Sequence, residues 1–389
     1  MCVPQCVLAG VRVVTPEGVL DPGWIEVEGG RIAAVGTGVP ARAAGQSVTD
    51  LDGAWLLPGF IDLHVHGGGG HDVATSAAAM AAAVAFHRTH GTTGTLVSLV
   101  TAAVEDLAEQ LSWVADLVER GPCADGHVLG AHLEGPFLAP ARCGAQAPEH
   151  LLDPDRAVFA RLVRAARGTL RVITVAPELP GAAEIIADAV DGGIVAAIGH
   201  TDATYDQAVA AFAAGATLTT HLFNAMPPLH HRAPGPVGAA LDAGAGADVD
   251  VACELINDGV HVHPSITRMV ARDRHRLVLV TDAIDAAGAG DGDYILGGQA
   301  VRVRDGQARL ARSGVLAGST LTMDDALRRA VLDAGIPIEV AAAAAATNPA
   351  RVLGLSATCG AIAVGLAADL VVLDVDLHLV RVMAGGVWS

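Results

Sequence analysis

Short apolar runs alternate with alanine-rich stretches of helical length along most of this chain. Runs at 60–66, 95–100, 127–134, 170–176, 194–200, 218–223, 249–256 and 277–282 each have the length of a buried strand. Segments such as 77–87, 182–190 and 205–213 fill the gaps with small residues suited to helices packed on a sheet. Eight strand-then-helix alternations predict an α/β protein, a (β/α)8 TIM-like barrel. The second strand and the loop at 138–150 carry the weakest pattern. The two ends of the chain read differently, with short alternating strands broken by glycine and proline. We therefore expect a small β-sandwich domain formed by 1–57 and 358–389, flanking a barrel over 58–357.

Composition narrows the function. The alanine runs near Ala77 and Ala341 are too short to cross a bilayer. No cationic stretch precedes an apolar run at the start, the first arginine being Arg12, so a soluble cytoplasmic protein with no membrane partner is expected. Cys2, Cys6, Cys123, Cys143, Cys253 and Cys359 have no paired spacing, which favours free thiols. A net charge of −18 excludes a nucleic-acid partner, because a phosphate backbone needs a basic face. All 24 basic residues are arginine. Chemistry through a lysine Schiff base, or through a carbamylated lysine bridging two metals, is thereby excluded.

Chemistry concentrates at the strand ends. In Pro58-Gly59-Phe60-Ile61-Asp62-Leu63-His64-Val65-His66-Gly67, alternation puts Asp62, His64 and His66 on one face. Inside a barrel both imidazoles would reach the C-terminal mouth, where barrel enzymes keep their active sites. The pattern recurs at His132-Leu133-Glu134-Gly135-Pro136, Gly199-His200-Thr201, Thr220-His221-Leu222-Phe223-Asn224 and Thr281-Asp282-Ala283. Buried acids and histidines are costly unless paired or metal-bound, so five sets in register predict a metal centre. With lysine absent, Glu134 is the natural bridge between two ions. One ion is expected on His64, His66, Glu134 and Asp282, and the second on Glu134, His200 and His221. Imidazole and carboxylate donors suit zinc, with iron, manganese or cobalt also accepted.

Taken together, PGFIDLHVHG, HLEGPF, GHT, HLFNAMP, DGVH and LVTDA, in this order along essentially the whole chain, resemble the N-acetylglucosamine-6-phosphate deacetylases of the amidohydrolase superfamily. The resemblance implies hydrolysis of the acetamide of a phosphorylated N-acetyl amino sugar, in amino-sugar catabolism or recycling. It makes Glu134, His200 and His221 the common metal ligands, and the retained His64 and His66 match the two-ion members. Asp282 matches the catalytic acid/base. Asn224 and the Ala225 amide match positions that hold the phosphate, with His261 and Arg232 as its cationic partners. In the family that arginine comes from the neighbouring subunit, which implies a homodimer. One position departs from the pattern: Gln146 stands where many members have a histidine that polarises the acetamide carbonyl. A glutamine can donate a hydrogen bond there but no proton, so the ion at His64 and His66 is expected to take over more of the polarisation.

The expected chemistry follows. A bound ion lowers the pKa of its water to about 7, Asp282 takes up the proton, and the same acid returns it to the leaving amine. Three rivals stand beside this reading: the C4-epimeric N-acetylgalactosamine 6-phosphate as substrate, a cyclic-amide hydrolase or base deaminase on the same barrel, and a catalytically inactive scaffold. The missing lysine weighs against carbamate-dependent cyclic amidases, HLFNAMP against deaminases, and the intact ligand set against a scaffold.

Overall fold

The computed structural model describes residues 6–40, 47–121, 127–243 and 250–389. Cys2, Cys123 and Val249 lie outside them.

Eight parallel strands make the central sheet: Phe60–Asp62, Thr92–Val100, Val128–Glu134, Leu170–Val175, Val195–Ile198, Leu218–Thr219, Ala252–Ile256 and Leu277–Val280, each beside the next. The first and eighth strands meet through Asp282 N to His64 O (2.8 Å), His66 N to Ala283 O (2.8 Å) and a Val65–Ala283 bridge, closing the ring. This is the (β/α)8 barrel that the alternating pattern predicts. Alternation also sorts the side chains. Leu96, Val172, Ala197, Leu218, Ala252 and Val278 gather in one buried cluster, while the neighbouring Val97, Ile173, Ala196 and Cys253 pack with helix residues such as Leu107, Leu111 and Ile185. The second strand, weakest in the sequence pattern, runs nine residues and is buried throughout.

Most strands stop earlier than their apolar runs suggest. His200, His221 and Asp282 lie just beyond strands five, six and eight, with φ of 46°, 29° and 49°. These are left-handed backbone conformations, costing a non-glycine residue roughly 1–3 kcal/mol each. The chain turns off each strand at the residue whose side chain enters the barrel mouth. Helix ends are fixed locally. Thr204 and Gln207 form a reciprocal capping box, and the Ser76 hydroxyl accepts from Ala79 N, devices worth about 1 kcal/mol each.

The two ends of the chain share a second, eight-stranded sheet. Its strand Trp55–Pro58 pairs with Leu370–Leu373 from the other end, over a core that includes Leu8, Val13, Ile25, Leu56, Leu370 and Met383. A third sheet was not foreseen. Gly292–Leu296, Gln299–Arg304 and Gln307–Leu310 form an antiparallel insertion after the eighth barrel strand. Its inward residues Val301, Val303, Ala308 and Leu310 pack on Val100 and Ile284, seating it beside the barrel mouth. Its signal was short alternating runs joined by the two-residue turns Gly297-Gly298 and Asp305-Gly306. No helix among the described residues is long and apolar enough to cross a membrane.

Candidate active site

The mouth of the barrel brings together all six residues expected to hold metal. The Glu134 Oε1 lies 3.0 Å from both His200 Nε2 and His221 Nε2, and 3.5 Å from His64 Nε2. Its other oxygen is 3.3 Å from His66 Nε2, and Asp282 Oδ1 is 3.2 Å from that nitrogen. His64, His66 and Glu134 form one compact donor group, and Glu134, His200 and His221 another. Every member is at most 7% exposed.

Hydrogen bonds behind the rings decide what these donors can hold. His66 Nδ1 faces the Ser98 carbonyl at 3.0 Å, His200 Nδ1 the Arg142 carbonyl at 2.9 Å, and His64 Nδ1 the Glu254 carboxylate at 3.2 Å. Carbonyl and carboxylate oxygens only accept, so each Nδ1 carries the hydrogen and each Nε2 lone pair points at Glu134. In the neutral His64–His66 pair the two Nε2 atoms, 3.0 Å apart, then present lone pair to lone pair, while His221 Nδ1 has no partner and leaves His221 Nε2 able to donate to Glu134. Converging lone pairs and carboxylates repel unless a cation stands among them, so the donor set fits divalent metal ions.

Electrostatics point the same way. Burial disfavours a charged His66, yet the Asp282 and Glu134 carboxylates outweigh it and push its pKa up to about 9. Burial likewise opposes ionisation of Glu134, but His64 and His200 hold its pKa well below the usual carboxylate range. Asp282 is lowered too, with burial outweighed by His64 and His66, so it is a carboxylate at neutral pH. The cluster demands positive charge, which protons or a metal ion can meet.

A polar layer braces the donors from below. Glu254, fully buried on the seventh strand, accepts from both His64 Nδ1 and the His221 backbone N–H with the same Oε2. Asp62 does not join the donors. It accepts from His64 N, Thr281 N and the Thr281 hydroxyl, and burial pushes its pKa up to about 6. His132 links Ser98 (2.9 Å) to Thr174 (2.8 Å), and burial together with His64 keeps it neutral. Glu254 escaped sequence reasoning, although its signal was there: one acid inside the apolar run Val251-Ala252-Cys253-Glu254-Leu255-Ile256.

Above the donors opens a cavity of about 420 Å³, lined by His66, Glu134, His200, His221 and Asp282. Gln146, Asn224, Ala225 and His261 also line it. The Gln146 amide is oriented unambiguously. Thr101 N–H can only donate, so the oxygen it meets at 2.7 Å is Oε1, and the NH2 group donates to Glu134 Oε2 at 2.6 Å. Ala225 sits at φ 50°, and His261 Nδ1 contacts Asp258 Oδ2 at 2.7 Å. Arg232 is exposed on its loop and does not line the cavity.

Residues 55–388 match the amidohydrolase family, and the chain belongs to that family of hydrolases. Relatives at 30% identity or more include amino-sugar phosphate deacetylases. The chain is 38% identical to the N-acetylgalactosamine-6-phosphate deacetylase of Escherichia coli O157:H7, over 98% of each chain. It is 34% identical to the N-acetylglucosamine-6-phosphate deacetylase of Bacillus subtilis, over 97% of this chain and 95% of that one. Among solved structures, it superposes with a TM-score of 0.92 on a variant N-acetyl-D-glucosamine-6-phosphate deacetylase of Mycobacterium smegmatis, in complex with N-acetyl-D-glucosamine 6-phosphate. That match has 44% identity and covers 99% of both chains.

Proposed function

We propose that the protein hydrolyses the acetamide of N-acetyl-D-glucosamine 6-phosphate to D-glucosamine 6-phosphate and acetate. The observation that carries this reading is the Glu134-centred donor cluster, with Asp282 beside it, opening into a cavity lined by Asn224, Ala225 and His261. His64, His66, Glu134 and Asp282, or Glu134, His200 and His221, would hold a divalent ion, which would supply an activated water and polarise the carbonyl. The remaining steps belong to the chain. Asp282, ionised at neutral pH, takes the proton of the attacking water and passes it to the nitrogen as the C–N bond breaks. Gln146 has one N–H on Glu134 and its oxygen on Thr101, so it steadies the Glu134 carboxylate and has one further N–H for the substrate.

Asn224, the Ala225 amide and His261 receive the phosphate at the far wall. Arg232, exposed and without an ion pair among the described residues, reaches the site of a second copy in a homodimer. Two zinc ions per subunit, a cytoplasmic location and a division into 1–57 with 358–389 against 58–357 complete the reading. The 38% identity to a galactosamine-epimer enzyme favours a second reading, in which the C4 epimer is the substrate.

The test is acetate release from the two 6-phosphate epimers and from unphosphorylated N-acetylglucosamine, with metal content measured on the same sample. Faster turnover of the glucosamine ester supports the proposal, and faster turnover of the epimer selects the second reading. No acetate from any of them, with metal bound, leaves the scaffold. A monomer by light scattering removes Arg232 from the site.

A further inference from the structure

The cavity poses an electrostatic problem that the residues discussed so far do not solve within one subunit. The chain carries a net charge of −18, the donors at the cavity floor include two carboxylates, and the proposed substrate is a phosphate ester. Among the described residues one arginine lines this cavity, Arg309, on the last strand of the inserted three-stranded sheet.

Its placement is unusual for a surface arginine. Ala308 and Leu310, its neighbours, are buried against the barrel mouth, so the strand cannot drift away from the cavity. Arg309 alternates to the open face, where its directly opposed cross-strand partner is Arg302 and where it borders a second cavity with Arg304 and Gln307 as well as the edge of the mouth cavity. Two like charges in that position repel. Arg302 is relieved by Asp293, 2.8 Å from its Nε. Arg309 has no such relief. Its Nη1 donates to the Gly314 carbonyl (2.9 Å) and its Nη2 to Gln307 Oε1 (3.0 Å), both uncharged, and no carboxylate pairs with it among the described residues. Those two bonds hold the guanidinium in place while leaving its Nε–H and further N–H groups uncommitted. The result is an oriented, unneutralised cation at the cavity wall, in a protein with acid to spare.

We infer that Arg309 is a specificity-determining residue, supplying from the same subunit a cationic contact to the phosphate of the substrate. An arginine fork fits phosphate oxygens two at a time. The anion would neutralise the charge that the Arg302–Arg309 pairing leaves exposed. Arg309 touches neither the donor cluster nor Asp282 by any described hydrogen bond, so its contribution is to binding, not to the chemical step. The inference rests on the proposed phosphate-ester substrate.

The test compares kcat/KM for N-acetylglucosamine 6-phosphate with that for unphosphorylated N-acetylglucosamine, in wild type, Arg309→Ala and Arg309→Lys, all metal-loaded. The phosphate preference should fall about 10- to 100-fold in Arg309→Ala, as expected for loss of a charged hydrogen bond, mainly through KM. Arg309→Lys should recover part of it. Equal losses on both substrates would mean that the arginine supports the inserted sheet, and would overturn the inference. So would a strong wild-type preference that Arg309→Ala leaves intact. A wild-type ratio near one would overturn the substrate reading itself, and this inference with it.

Discussion

The barrel mouth and the sheet built from the two chain ends are made on opposite terms. In the terminal sheet, residues such as Leu8, Val13, Ile25 and Leu56 are 0% exposed, and the core is apolar. At the mouth, equally buried positions hold His64, His132 and Glu254 (all 0% exposed), and His200, His221 and Asp282 adopt left-handed backbone conformations. The first region gains stability from each buried side chain, about 1.5–3 kcal/mol apiece. The second spends stability on buried acids, imidazoles and strained turns, which added positive charge and the surrounding barrel make tolerable. The contrast separates residues that hold the fold from residues whose burial is costly to it.

The sharpest way to break that contrast is Asp282→Asn. Turnover should drop by about 10²- to 10⁴-fold, the range for a lost general acid/base, while thermal stability holds or rises. Metal analysis should still find the ion held by Glu134, His200 and His221. Substantial turnover in the metal-loaded variant would remove Asp282 from its role. The converse is Ile25→Ala in the terminal sheet, which should cost about 2–5 kcal/mol in urea unfolding with kcat/KM of the folded fraction unchanged.

A third prediction probes a buried group between the two regimes. His87 is 1% exposed, bonds to the Gly67 carbonyl through Nε2 (2.8 Å), and burial drives its pKa down to about 4. An unfolded histidine titrates near 6.5, so the folded state binds fewer protons between those values. Stability should therefore be full above pH 6.5 and decline as pH falls towards 4, by about 2 kcal/mol at pH 5 from this residue. His87→Gln keeps a donor for Gly67 and should flatten that part of the unfolding profile; an unaltered slope would assign the acid sensitivity elsewhere. The smallest effect is expected from Glu254→Gln, which loosens the carboxylate behind His64 and His221. A loss of about 10- to 100-fold in metal affinity is typical of such supporting groups, and a chelator titration would read it. Unchanged affinity would make Glu254 a spectator.

Much of the site was legible because its signals are local. HxH just after a strand, an acid two residues after His132, and isolated histidines after apolar runs each stand out within ten residues. Strand ends were less legible. The runs at 194–200 and 218–223 continue past the hydrogen-bonded strands Val195–Ile198 and Leu218–Thr219, because an apolar run does not reveal a left-handed turn. The orientation of Gln146 could not be read at all. Its two partners, Thr101 and Glu134, lie 45 and 12 residues away, and which end of an amide faces which group depends on that geometry alone.

What the sequence determined by itself was the barrel, the pairing of the chain ends and the run of acids and histidines at the strand ends, since residue type and period act over a few positions. Only the tertiary structure decided that one carboxylate, Glu134, faces four imidazoles, that Glu254 braces two of them, and that Arg309 stands at the cavity wall. Those are meetings of residues tens to more than a hundred positions apart. Closing the ring of strands produces them, and no local pattern encodes the distance at which two side chains finally meet.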